Sequence, residues 1–218
     1  MKPQILIWGS SAHARVVAEI LALRGEFEIA GFIDDVYPDR KGKIFAGKDI
    51  LGGREALTGA LERGISHLIF GFGRSEEKLA LAPQLAALGF RFVSAIHPGA
   101  HVARDVQVGC GTVIKAGAAI DSGVEIGEHA IIGSNVTVTH GSVLEDGARL
   151  AAGVTLGANV RVEGGAMVGI GAVIQSSVRI GAGALVGGGA LVTYDVPPGM
   201  VVVGAPARVR REARPNDF

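Results

Sequence analysis

From Val102 to Pro197 the chain repeats one six-residue pattern sixteen times without an insertion. Each hexad opens with Val, Ile or Leu, and its fifth place is small or β-branched. Its fourth place is Gly, Asn or Asp in fourteen of the sixteen. An uninterrupted period of six predicts a parallel β-helix, a solenoid whose coils bury their apolar positions against the coils above and below. The first and fifth positions point inward, the second and sixth outward, and the third and fourth make a corner. The fourth position requires a positive φ, which Gly adopts freely and Asn or Asp tolerate. His129 and Ser177 are the two departures from that rule. Three hexads close a triangular coil, coils stack about 4.8 Å apart, and the run makes a prism about 25 Å tall.

The first ninety-odd residues obey a different period. Ile5-Leu6-Ile7-Trp8 is a short apolar strand ending at Gly9, and residues 14–23 carry apolar positions at helical spacing. A second strand at 29–33 stops at Asp34-Asp35. A helix over 54–63, a strand over 67–70, a helix over 76–88 closed by Gly89, and a strand over 91–96 follow. Strands alternating with helices predict a small parallel sheet with right-handed crossovers, an α/β, Rossmann-like domain. His97-Pro98-Gly99 marks the boundary, so residues 1–97 form the α/β domain and 98–218 the β-helix with its tail. Pro197-Pro198-Gly199 stops the repeat.

Sorting the outward positions by side gives one mostly polar ladder: Gln107, Glu125, Val143, Arg161, Arg179 and Pro197. Another ladder reads Val113, Ile131, Arg149, Met167, Leu185. An apolar outward ladder predicts an interface with another subunit, in a trimer. Composition narrows the setting. Hydrophobic residues make up 48% of the chain and aromatic ones 5%, so the core is aliphatic. A net charge of zero argues against a nucleic-acid or anionic-membrane partner. The single cysteine, Cys110, excludes an intramolecular disulfide and fits a reducing compartment. No secretory signal and no membrane-spanning run are visible, which predicts a cytoplasmic protein.

Among the sixteen third positions His140 is the histidine. An imidazole takes up and returns a proton at neutral pH, and its stack neighbours Ser122 and Ala158 are small enough to leave room for a ligand. His129 sits at a fourth position, where its task is conformational. His97 and His101 read as structural. At the other end, Gly9-Ser10-Ser11-Ala12-His13 follows the first strand and opens a helix, an arrangement that aims backbone N–H groups at an anion such as a diphosphate. It is not G-x-G-x-x-G, which disfavours NAD. Asp34, Asp35, Gly73 and Arg74 lie after later strands, on the rim where such sheets bind ligands.

An N-terminal βαβ unit, an uninterrupted hexapeptide helix, a histidine midway along it and a Val203-Gly204-Ala205-Pro206-Ala207 tail resemble the bacterial nucleotide-sugar N-acetyltransferases. These are the bacillosamine and perosamine enzymes, related to the sialic acid O-acetyltransferases. The resemblance covers nearly the whole chain. It implies a left-handed β-helix, a homotrimer, and acetyl-CoA bound along the helix between subunits. It also implies an N-terminal domain that grips the nucleotide of an amino sugar, with no metal. His140 matches the catalytic base. The acidic residue that often follows the base is replaced by Gly141. The oxyanion donor, a main-chain amide, falls at Ala158, and a backbone donor does not depend on side-chain identity. Ile170 and Gly188 match positions lining the CoA groove, and Gly204 and Ala205 the tail segment over the cofactor. Arg149 stands where some members have a second histidine; it meets a phosphate or carbonyl of CoA, or pairs across the interface. Ser11 and His13 match a Gly-x-Ser-Gly-His nucleotide loop in which Ala12 replaces Gly. Transfer to a sugar amine is the expected reaction. O-acetylation of a sugar hydroxyl and a non-catalytic nucleotide-sugar scaffold are the alternatives.

Overall fold

The computed structural model describes residues 2–214 and Asp217. It divides into two compact units. The first comprises Met1–Gly73 and Ala80–Pro98, and the second Arg74–Leu79 and Gly99–Phe218.

From the N-terminus, β1 (Gln4–Trp8), α1 (Ala12–Arg24), β2 (Glu28–Ile33), β3 (Ile44–Phe45), β4 (Lys48–Gly52), α2 (Ala56–Glu62), β5 (His67–Phe70), α3 (Ser75–Ala87) and β6 (Arg91–Phe92) follow one another, all in the first unit except the start of α3, residues 75–79, which belongs to the second. The sheet order is β3-β4-β2-β1-β5-β6. All neighbours are parallel except the β3–β4 hairpin. The central strand β1 is buried from Ile5 to Trp8, as expected of an apolar run covered on both faces. Leu6, Ile33, Leu68 and Phe70 pack with Leu57, Leu85 and Phe90 into one core. The hairpin was not expected from the sequence. Its turn is Ala46-Gly47, with φ of 47° and 80°, and Ile44 remains exposed, so neither a familiar turn pair nor a clean apolar alternation announces it. The predicted strand over 91–96 is two short pieces, Arg91–Phe92 and Ala95–Ile96.

The second unit is a β-helix with a coil of eighteen residues, as shown by the register Val113↔Ile131↔Arg149↔Met167↔Leu185. A second ladder runs Thr137↔Thr155↔Val173↔Leu191. The third runs Gln107↔Glu125↔Val143↔Arg161↔Arg179. First and fifth positions fill the interior: Ile114, Val136, Leu156, Ala166 and Val186 are fully buried. Thr112 and Ser142 are polar exceptions, and each spans two coils. Thr112 Oγ1 donates to Gly127 O at 2.8 Å and accepts Ala130 N–H at 3.0 Å. Ser142 Oγ does the same with Gly157 O and Val160 N–H. Satisfied this way, a buried hydroxyl carries little penalty.

His129, Asn135, Asn159 and Ser177 adopt φ of 55–63° at fourth positions, beside the glycines. Asp105 and Asp195, in the first and last hexads, lie outside the positive-φ region and serve as side-chain caps instead. Asp105 accepts Ser122 Oγ–H and Gly123 N–H, and Asp195 accepts Arg179 N–H. The apolar ladder also departs from expectation. Val113 is 1% and Ile131 8% exposed within the single chain, so these two need no partner subunit to cover them. The larger exposed apolar side chains of this unit are Ile170, Val173, Leu191, Tyr194, Val203 and Val209. No helix among the described residues is long and apolar enough to cross a membrane.

Candidate active site

In the first unit the turn after β1 is held by its neighbours before any ligand is considered. Gly9 N–H donates to Ile33 O at 2.6 Å and Gly71 N–H to Trp8 O at 2.7 Å. A Cβ at Gly9, whose φ is 121°, would approach Gly71 backbone atoms to 3.1 Å. Ser11 caps α1, accepting from His13 N–H at 3.2 Å and Ala14 N–H at 3.4 Å, and donates to Gly71 O at 2.8 Å. Two of the amides expected to face an anion are therefore capped by Ser11, through long bonds. Ala12 is exposed beside it and His13 half-buried.

The structure brings Asp34 to this turn and gives it a structural task. Buried Asp34 accepts Ser10 Oγ–H and, through Oδ1, the amides of Val36 at 2.9 Å and Tyr37 at 3.1 Å. Arg40 completes the group: Nη1 donates to Ser10 O and Ser10 Oγ at 3.2 and 3.0 Å, and lies 3.8 Å from Asp34 Oδ2. Asp35 turns instead to Arg54, which it holds through backbone and side chain. Arg40 and Arg54 were missed by sequence reasoning, because nothing local marks an arginine of the β2–β4 connection, or one just after β4, as the partner of Asp34 or Asp35. Gly73 follows β5, and Arg74 is exposed and pairs with Glu77 at 3.3 Å.

In the second unit, His140 is exposed at its corner, and its backbone carbonyl accepts Asn159 N–H at 3.0 Å. Gly141 has φ of 70°, and a Cβ there would collide with Asn159 Oδ1. The glycine in the place of an acidic residue thus has a steric reason: Asn159, itself left-handed, folds over it. One coil on, the amide of Ala158 donates to Ser176 Oγ at 3.1 Å. Glu128 N–H and Asp146 Oδ1 repeat this arrangement at another corner, at 2.7 Å. A third-position amide thus points along the stack, and Ser176, which the sequence reading passed over, is the side chain that meets it.

Ile170 is 69% exposed, and Gly188 stacks on it so closely that a Cβ would lie 3.2 Å from Ile170 O. The Gly204–Ala207 tail is fastened to Leu191, whose N–H donates to Gly204 O at 3.0 Å and whose carbonyl accepts Ala207 N–H at 2.7 Å. The Ala205–Pro206 bond is cis. A cavity of about 330 Å³ opens beside it, lined by Tyr194, Asp195, Val202 and Arg208 among others. Arg149 lies apart, half-buried, with Lys78 and Lys115 as its charged neighbours. Cys110 sits with Glu128 and His129, their ligand atoms within 4.8 Å of one another. Burial first, then Glu128, pushes its thiol up to about 11.

A nucleotide-type α/β unit and a hexapeptide β-helix with a corner histidine define a transferase of the hexapeptide-repeat class. Residues 4–85 match the model of the PglD N-terminal domain, and residues 105–140 and 123–158 the model of the bacterial transferase hexapeptide. UDP-N-acetylbacillosamine N-acetyltransferase of Bacillus subtilis (strain 168) is 32% identical over 114 residues, 51% of each chain; the match thus spans about half the length of this curated relative. A variant of perosamine N-acetyltransferase from Caulobacter crescentus, solved with CoA and GDP-perosamine, superposes with a TM-score of 0.91 at 32% identity, covering 96% of this chain and 97% of that one. The acetyltransferase domain of PglB from Neisseria gonorrhoeae FA1090, solved with acetyl coenzyme A, gives a TM-score of 0.88 at 28% identity, covering 96% and 100%. The chain belongs to the family of PglD-type nucleotide-sugar N-acetyltransferases.

Proposed function

We propose that this chain transfers the acetyl group of acetyl-CoA to the amino group of a nucleotide-linked 4-amino-4,6-dideoxy sugar, with His140 as general base. The observation that carries the reading is the placement of His140: an exposed imidazole at a β-helix corner, stacked between the small residues Ser122 and Ala158. The solved relatives carry CoA with GDP-perosamine, or acetyl-CoA, on the same fold.

The sugar amine attacks the thioester carbonyl while His140 takes its proton. The new C–N bond leaves a tetrahedral oxyanion, which the Ala158 amide stabilises. Its N–H points along the stack to Ser176 Oγ, which accepts it at 3.1 Å. Collapse breaks the C–S bond, and the departing thiolate of CoA receives the proton from His140. No covalent relay is needed. The Cys110 thiol, pushed up to about 11, is protonated at neutral pH and is a poor nucleophile.

Ile170, Gly188, Gly204, Ala205 and Arg149 serve the cofactor. Ser11, Ala12, His13, Asp34, Asp35, Gly73 and Arg74 serve the nucleotide; the long cap bonds of Ser11 are ones that phosphate oxygens can replace. Asp34 acts by fixing the turn. The working form is a cytoplasmic homotrimer.

Free-thiol release from acetyl-CoA, measured across a panel of amino-sugar nucleotides, tests the reading. His140→Ala is expected to lower kcat about 10²–10⁴-fold with the affinity for the nucleotide sugar unchanged. Full turnover in that variant rejects the role of His140, and no thiol release with any amino-sugar nucleotide rejects the activity.

A further inference from the structure

The Ala158 amide shares its corner with a hydroxyl. His140, Ala158 and Ser176 hold the same corner position in three successive coils, in the register set by Thr137↔Thr155↔Val173. Backbone bonds fasten the coils there: Asn159 N–H donates to His140 O at 3.0 Å, and Ser177 N–H to Ala158 O at 2.8 Å. The Ala158 amide donates to Ser176 Oγ at 3.1 Å. A bare second position allows this approach, because a Cβ at Gly157 would lie 2.6 Å from Ser176 Oγ. Ser176 is exposed and Ala158 half-buried, so solvent, and hence a ligand, reaches both.

The same arrangement recurs at another corner with a different acceptor. Gly127 is likewise bare, and the Glu128 amide donates to Asp146 Oδ1 at 2.7 Å. A carboxylate holds an amide more tightly than a hydroxyl does, and its bond is the shorter of the two. An ionised carboxylate also has no proton to donate. A serine hydroxyl accepts through a lone pair and keeps its own O–H. Among the described residues the Ser176 O–H donates to no protein atom.

We infer that Ser176 is a further catalytic residue of the acetyl transfer, its hydroxyl giving the oxyanion a second hydrogen bond beside that of the Ala158 amide. The two donor atoms are 3.1 Å apart, and one oxygen that completes a triangle with them lies within hydrogen-bond reach of both. As charge develops on the thioester carbonyl oxygen, the amide exchanges the neutral Ser176 Oγ for the stronger, charged acceptor. The Ser176 O–H rotates onto the same oxygen. No proton leaves the hydroxyl; His140 alone carries the proton from the amine to the thiolate. A carboxylate in this place, such as Asp146 supplies at the other corner, repels the oxyanion instead of binding it. The inference rests on the proposed reaction and adds a residue to it.

The test compares three variants by thiol release from acetyl-CoA, on the amino-sugar nucleotide that the parent turns over fastest. Ser176→Ala is expected to lower kcat and kcat/KM together by about 10²-fold, because an interaction made only in the transition state is lost. The KM for acetyl-CoA is expected to stay at the parent value. Ser176→Thr, which keeps the hydroxyl, is expected to recover most of the rate. Ser176→Asp is expected to be slower than Ser176→Ala although its thermal midpoint is no lower than the parent's, since Asp146 makes the same bond. Parental kcat in Ser176→Ala overturns the role. So does a loss confined to KM, which makes Ser176 a cofactor contact only, and so does an equal fall in the Ala and Thr variants, which makes the effect one of packing. A parent that releases no thiol from any amino-sugar nucleotide overturns the proposed reaction and this role with it; an active parent whose Ser176→Ala variant is equally fast overturns this role alone.

Discussion

At the corners of the β-helix, the fourth residue of a hexad dictates what its neighbour one coil away can be. At three corners where that residue is left-handed and carries a side chain, the side chain folds back over the glycine of the coil before. His129 covers Gly111, Asn135 covers Gly117 and Asn159 covers Gly141, and a Cβ at any of these glycines would collide with the covering side chain. His129 carries a further consequence. Burial first, and then Lys78, lowers its imidazole to about 4, against 6.5 ordinarily. Between those two values the unfolded chain binds a proton that the folded one refuses. Stability is therefore full above about pH 6.5 and falls as the pH drops toward 4. Urea midpoints measured across this range are expected to decline in the parent protein. They are expected to decline less in His129→Asn, which keeps a residue tolerant of positive φ. Parallel curves for the two proteins would contradict this.

Among the elements, the coils impose two different demands on glycine. At second positions the backbone of the next coil comes close: a Cβ at Gly133 would meet Ala151 C and Ala152 N at 2.6 Å. At fourth positions the demand is conformational, as at Gly165, with φ of 67° and nothing within 4 Å of an added Cβ. Gly133→Ala is expected to cost about 1–3 kcal/mol by forcing coils apart. Gly165→Asn is expected to cost about 1 kcal/mol at most. Thermal or urea unfolding of the two variants, ranked against the parent, checks this; the reverse order would refute the division. The same scale separates what was legible from what was not. The hexads, β1, β5 and the helices were readable because their periods are local. The β3–β4 hairpin was not, because β4 gains its place by pairing with β2, a contact that its own short pattern does not encode.

At the scale of the whole molecule, the burial of Val113 and Ile131 within one chain moves the assembly question elsewhere. Ile170, Val173, Leu191, Tyr194 and Val203 remain exposed at the later coils, where the tail fastens to Leu191. Exposed apolar side chains of this kind, when contiguous, mark an interaction surface. Light scattering is expected to give a mass about three times that of the 22.3 kDa chain; a monomer at micromolar concentration would refute the trimer.

The sequence by itself determined the coil length, the inward and outward positions, the corner that holds His140, and the α/β character of the first ninety-odd residues. Each of these follows from a short period or a local turn requirement. The tertiary structure decided which groups meet across long separations. It turned Asp34 into a turn anchor bonded to Ser10 and Arg40, placed Asn159 over Gly141, and set Ser176 on the Ala158 amide. Such meetings depend on how distant segments stack and pack, and no periodicity records them.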